Sequence, residues 1–312
     1  MINYDSKKWW EAISHFKTSY VIRRTVRMVL WMGVFSTAVV VCDQLFQEHY
    51  QIKVFTLDTW IFTLLGVMLS LLMVFRLNTA YDRWWEGRKQ WGALINHTRG
   101  LAVLINGMLP KESHAERRYF AKGISAYVLA LSDHLRDNAN HKLIEMYSDE
   151  HPDSLRRYTH VPNKIVNDLY SRLEKLYKAG VIDGFQLNQL KPETQSFLDI
   201  QGACERIKAT PIPFAHNFFI KLLVITYCCL VPLVLTSMLS SYSGPILLSM
   251  LVSYVLIGIE YISVEIEEPF GLDCNDLPTH NLAVKIEKNV HEILDIELTS
   301  VQEEKGQYLV IS

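Results

Sequence analysis

From Leu222 to Ile259 the chain runs for 38 residues without an Asp, Glu, Lys, Arg or His. Near its middle the run is broken by Ser240-Ser241-Tyr242-Ser243-Gly244-Pro245. A hydrocarbon layer about 30 Å thick is crossed by about 20 apolar residues in a helix. The run is too long for one crossing and fits two membrane helices joined by a tight turn. Two shorter uncharged stretches come earlier, Met28–Cys42 and Thr59–Phe75, and each crosses once flanking residues are counted. The expectation is an all-α chain with four transmembrane helices.

Basic residues give the orientation. Arg23, Arg24 and Arg27 precede the first span, and Arg76, Arg83, Arg88 and Lys89 follow the second. Residues 43–58 between them hold Asp43, Glu48 and Asp58 against Lys53 alone. The positive-inside rule puts the N-terminus, residues 76–213 and the C-terminal tail in the cytoplasm. No cleaved signal peptide is expected, because the basic and aromatic N-terminus lacks a compact apolar core with a small-residue cleavage site.

The expected organisation is one interleaved unit. Residues 26–75 carry the first two membrane helices, 76–213 a cytosolic helical region, 214–262 membrane helices three and four, and 263–312 a cytosolic segment and tail. The cytosolic parts read as helices because apolar residues recur at three- and four-residue steps. Phe120, Ile124, Val128, Leu131 and Leu135 mark one, and 164–178 a second, with Gly180 as its C-cap. Residues 185–207 form a third, interrupted or started at Pro192, and Leu282, Ile286, Val290, Ile293 and Leu294 a fourth. Residues 138–160 read as the loosest loop.

Composition excludes several functions. Lys plus Arg (31) and Asp plus Glu (33) nearly cancel, so the chain is not a nucleic-acid coat. Five cysteines, odd in number and unpatterned, make no disulfide framework. The absence of CxxC, CxxH and HExxH spacing argues against a structural zinc site. Eleven histidines are scattered from His15 to His291, each read as surface or packing. No nucleophile–base pair or phosphate-cradling glycine loop points to an enzyme. A channel and a membrane-anchored helical scaffold remain.

The second span carries the functional argument. Its helical pattern continues past Phe75, and residues 59–96 as one helix would be about 57 Å long. Tyr81, Trp84, Trp85, Arg88 and Trp91 are spaced to share a face, for packing and interfacial anchoring. Within the membrane part, Gly66 and Ser70 make a small-xxx-small face suited to a close helix neighbour. Beside it Val67, Leu71 and Phe75 form an apolar stripe at i, i+4 and i+8. No charge lies within any span, which argues against an ion-coupled pump. It leaves a channel open, because an apolar constriction can gate by dewetting.

The motif Phe75-Arg-Leu-Asn-Thr-Ala-Tyr-Asp-Arg-Trp-Trp-Glu-Gly-Arg-Lys-Gln-Trp-Gly92 resembles the signature of the bestrophin family in its bacterial branch. Thr210-Pro211-Ile212-Pro213-Phe214 looks like the family's Ile-Pro segment. Glu268-Pro269-Phe270-Gly271, followed by Asp273 and Asp276, looks like its Asn-Pro-Phe-Gly-plus-acidic stretch, and Val161-Pro162 is a weaker match. The resemblance covers about residues 20–295.

It implies a homopentameric ion channel in the bacterial inner membrane, whose partners are its own copies, the lipid bilayer and small inorganic ions. The resemblance assigns the pore neck to Val67, Leu71 and Phe75. It assigns a second, cytosolic aperture to Phe185, with Ile182 as the near alternative. Small anions such as chloride are the expected permeants, and a cation-selective channel of the same architecture is the alternative. Eukaryotic relatives bind calcium with the acidic stretch and carbonyls near the N-terminus. Here Cys274 and Asn275 interrupt that stretch, leaving Glu268, Asp273 and Asp276 as candidate calcium ligands.

Overall fold

A computed structural model describes residues 20–50, 59–137, 158–239 and 241–297. Every regular element among them is an α-helix: α1 (Tyr20–Tyr50), α2 (Thr59–Met108), α3 (His114–Leu135), α4 (Val161–Lys178), α5 (Gly184–Ala209), α6 (Phe214–Met238), α7 (Ser243–Glu267) and α8 (Thr279–Leu294). The N-terminal segment before Tyr20, most of the expected 138–160 loop and the 299–312 tail lie outside the described residues.

Four helices are long and apolar enough to cross a membrane: α1, α2, α6 and α7. The expected all-α architecture with four spans is therefore the observed one, and the chain is a membrane protein. Two boundaries differ from expectation. The first membrane helix does not end near Cys42 but runs to Tyr50. Ser243, Gly244 and Pro245, expected in the turn, form the first positions of α7. Proline there removes only an N–H that has no helical partner.

The second span is longer than its sequence pattern implied. α2 contains 50 residues, about 75 Å at 1.5 Å per residue. Its first half packs against α6 and α7, and its second half against α5 and α8. One rigid element thus belongs to both cores. The aromatic run does not share one environment: Trp91 is fully buried, while Tyr81 and Trp85 stack at the surface.

The extramembrane core is centred on α3. Phe120, Ile124, Val128, Leu131 and Leu135 all lie inside it, as the period predicts. α8 adds Ile286, Val290 and Leu294, and α5 adds Leu187, Leu190, Phe197 and Cys204. α5 continues unbroken through Pro192. The proline deletes one backbone hydrogen bond, while buried Leu187 and Leu190 before it and Thr194 and Phe197 after it hold both segments in place.

The helix starts explain two of the motif prolines. Pro162 occupies the first turn of α4, behind the N-cap His160. Pro213 is the N-cap of α6 and, with Pro211, separates it from α5. A residue before proline is pushed out of the helical region, so Thr210–Pro213 forms a short corner between the extramembrane and membrane halves. Gly180 has φ +72 two residues beyond α4, the left-handed conformation expected of a C-terminal glycine.

Candidate pore and its cytosolic exit

Val67, Leu71 and Phe75 project from one side of α2, each more than half exposed in the single chain. Leu69, Met73, Arg76 and Ala80 form the buried stripe of the same helix. Two residues correspond to about 200° of helical rotation, so the exposed stripe and the buried one lie on opposite sides. Leu64, Met68 and Val74 are also exposed, and lipid or further copies of the chain must share that surface with the stripe. Gly66 is the contact point foreseen for a helix neighbour. A Cβ there would come 2.5 Å from the Tyr227 hydroxyl of α6, and that ring stacks on Phe62 at 4.4 Å. Ser70, the other small residue, instead donates to the Gly66 carbonyl of its own helix at 2.8 Å.

The helix is anchored one residue below Phe75. Arg76 is fully buried, and its Nη2 donates to Glu267 Oε2 at 2.7 Å. Its Nε lies 3.6 Å from Glu260 Oε2. Glu267 Oε1 also accepts from the Ile212 backbone N–H at 3.1 Å. Two turns on, Arg83 donates to the carbonyls of Glu267 (3.1 Å), Thr210 (2.6 Å) and Ile207 (2.6 Å). These bonds tie the lower end of the candidate neck to α7 and to the Thr210–Pro213 corner. The buried Arg76 charge is balanced by the Glu267 and Glu260 carboxylates, of which only Glu267 accepts a hydrogen bond, while the Arg76 Nε and Nη1 make none. The sequence signals for this anchor were the arginines of the motif and the Glu residues ending the fourth span. Their pairing spans about 190 positions of chain, and no local period reveals it. The uncharged run was correctly bounded at Ile259, but α7 continues past it as helix and brings Glu260 inside.

At the start of α5, Phe185 is 73% exposed, and Ile182 just before it only 3%. Asp183 explains the contrast. Its carboxylate accepts from the Gln186 N–H, while Gln186 returns a bond to the Asp183 N–H. This capping box starts α5 at Gly184. Phe185 is thereby set outward on the first turn, and Ile182, before the cap, turns into the extramembrane core. Ile182 therefore cannot line an opening without leaving that core.

The Pro-Phe-Gly segment has a structural task. Phe270 and Leu277 pack on Gly87 of α2, where a Cβ would lie 3.1 Å from the Phe270 ring. Trp84 Nε1 donates to the Asn275 carbonyl at 3.0 Å. Asp276 Oδ2 accepts from the Asp273 backbone N–H at 2.6 Å and sits so close to Gly271 that a Cβ there would be 2.5 Å away. Asp276 is buried, and burial pushes its carboxyl up to about 7. Glu268, Asp273 and Asp276 do not bring three ligand oxygens together. Calcium takes 6–8 oxygens, and Asp276 Oδ2 is turned onto the Asp273 N–H instead. The backbone carbonyls expected from the N-terminal segment lie outside the described residues. As arranged, the three side chains do not fit a calcium cage.

The comparisons agree with this architecture. The family model for bacterial/fungal bestrophin proteins matches residues 1–292. The voltage-dependent anion channel-forming protein alr2987 of Nostoc sp. is 31% identical over 296 residues, covering 93% of this chain and 94% of the relative. YneE of Escherichia coli K12, also a voltage-dependent anion channel-forming protein, is 29% identical over 296 residues, covering 95% and 94%. A crystal structure of a bacterial bestrophin homologue from Klebsiella pneumoniae superposes with a TM-score of 0.79 at 24% identity, covering 86% of this chain and 98% of that one. That last likeness is one of fold.

Proposed function

The chain belongs to the bacterial/fungal bestrophin family, and we propose that it is a channel for small monovalent ions, anions such as chloride preferred, with five copies around one axis. The observation that carries the reading is the kinship, over nearly its whole length, with relatives named for forming anion channels. The channel lies in the bacterial inner membrane with both termini cytoplasmic, in keeping with the distribution of arginine and lysine.

Val67, Leu71 and Phe75 form the neck and Phe185 the second constriction. An uncharged neck cannot use a fixed ring of charge, so it discriminates by the cost of stripping water from the ion. That cost is lower for large, weakly hydrated monovalent anions than for small or divalent ones. Apolar rings of Val67, Leu71 and Phe75 conduct only if they are wide or can widen, so side-chain or helix movement at the neck is the proposed control. The Arg76 and Arg83 bonds hold the cytoplasmic end of each neck helix against α7 and the Thr210–Pro213 corner while the part above moves.

The decisive experiment is the reversal potential of purified protein in planar bilayers under a chloride salt gradient. An anion channel reverses near the chloride equilibrium potential; reversal near the cation potential overturns the preference, and no current from intact oligomers overturns the channel. Phe75→Ala raises conductance or open probability in the same bilayers, and an unchanged current removes Phe75 from the neck.

A further inference from the structure

Three side chains remote in sequence meet at the ends of three cytosolic helices. His134 lies in the last turn of α3, His160 is the N-cap of α4, and Glu205 lies one turn before the end of α5. His160 Nε2 is 2.9 Å and His134 Nε2 3.4 Å from the same oxygen, Glu205 Oε1. The two imidazole rings are 4.4 Å apart between centroids. All three potential ligand atoms lie within 4.8 Å of one another, and among the described residues no other trio of His, Cys, Asp or Glu does so. Each side chain is about one-third exposed.

We propose that His134, His160 and Glu205 form a binding site for a divalent transition metal of the zinc class. Two imidazoles and one carboxylate are the ligand types that borderline metals such as zinc, cobalt and nickel select, whereas calcium and magnesium require oxygen cages. Zinc bonds of about 2.0–2.2 Å in a tetrahedron separate neighbouring ligand atoms by roughly 3.3–3.6 Å. The 3.4 Å spacing already has that value, and the 2.9 Å hydrogen bond widens by about half an ångström when a metal replaces its proton. Three protein ligands leave a fourth position for water, the pattern of open rather than closed zinc sites.

Capture has a local consequence. In the metal-free chain, His160 Nδ1 accepts from the Asn163 N–H at 3.4 Å, so its proton sits on Nε2 and points to Glu205. Coordination through Nε2 moves that proton to Nδ1 and gives up the long capping bond. The nearby cation is already occupied: Lys208 Nζ binds Asp137 Oδ1 at 2.6 Å and the His134 carbonyl at 3.2 Å. A bound metal would join the ends of α3, α4 and α5, two residues before the Ile207 carbonyl that Arg83 of the pore helix holds. The site stands independently of the channel reading.

The test uses tag-free, full-length protein in detergent, dialysed against chelator and titrated with Zn2+ by calorimetry and with Co2+ by visible absorption. The expected result is saturation at one metal per chain and intense Co2+ bands of a low-coordinate site. His134→Gln and Glu205→Gln each weaken binding by at least about tenfold, and excess Ca2+ or Mg2+ does not compete. His160→Gln also removes an N-cap, so the part-exposed His134→Gln, which removes no cap, decides the question if that variant or Glu205→Gln misfolds. Zn2+ affinity unchanged in a folded His134→Gln protein, or a weak octahedral Co2+ spectrum insensitive to it, overturns the site.

Discussion

The two halves of the molecule use apolar residues in opposite ways. In the extramembrane half, Phe120, Ile124, Val128 and Leu131 are wholly enclosed, and α3 is buried on most of its circumference. In the membrane half the spans are more apolar, yet only 17% to 33% of their most hydrophobic windows is buried within the chain. The membrane core is small: Leu69, Met73, Ile220, Val224, Cys228, Leu256 and Ile257. Water drives apolar side chains together, whereas lipid is as apolar as leucine and supplies no such force. The soluble half therefore closes its core within one chain. The membrane half leaves apolar faces open to lipid, to further copies and to a pore.

That contrast can be broken at defined points. The largest effect is expected in the closed core, where Phe120→Ala removes a fully buried ring and costs about 3–5 kcal/mol; a loss below about 1 kcal/mol on chemical unfolding would show that this core is not closed. At the junction, Arg76→Met leaves Glu260 and Glu267 buried without their cation, a cost of about 3–5 kcal/mol. Both losses are read from the unfolding midpoint of the purified oligomer in detergent. Gly271→Ala forces the Asp276 carboxylate off the Asp273 N–H, for a smaller loss of about 1–2 kcal/mol. In the open half, Phe75→Ala moves stability by no more than about 1 kcal/mol while changing current, separating pore function from folding.

A pH series sharpens the extramembrane side. Between about pH 4 and 7 the unfolded chain ionises at Asp276 while the folded chain keeps the proton, because burial raises the folded pKa from 3.8 to about 7. The unfolded state then binds fewer protons, so this group lowers stability as pH rises through that window. Asp276→Asn keeps an oxygen for the Asp273 N–H and removes the slope. An identical pH dependence in variant and wild type would show that Asp276 is not the group responsible.

Sequence was most informative where a period governs structure. The apolar steps of Phe120–Leu135 and Leu282–Leu294 gave the buried faces of α3 and α8 because each face is one helix seen by one core. The stripe Val67, Leu71 and Phe75 was visible by the same arithmetic, but its meaning came from family resemblance, since every face of a membrane helix is apolar. Tertiary structure sets apart residues that look alike in sequence. Ile182 and Phe185 are equally apolar in sequence, and the Asp183–Gln186 capping box turns one inward and the other outward. Glu268, Asp273 and Asp276 look like a ligand cluster on paper, yet Asp276 folds back onto the Asp273 N–H and leaves no shared focus.

By itself the sequence determined an all-helical membrane protein with four spans and a helical extramembrane part, because uncharged length and helical period are local properties. Only the tertiary structure decided which charges are paired and which ligands converge. Arg76 meets Glu267 across 191 positions, and His134 meets Glu205 across 71. Such pairs carry no spacing rule: they depend on where helix ends are brought by packing, and packing is set by all the elements together.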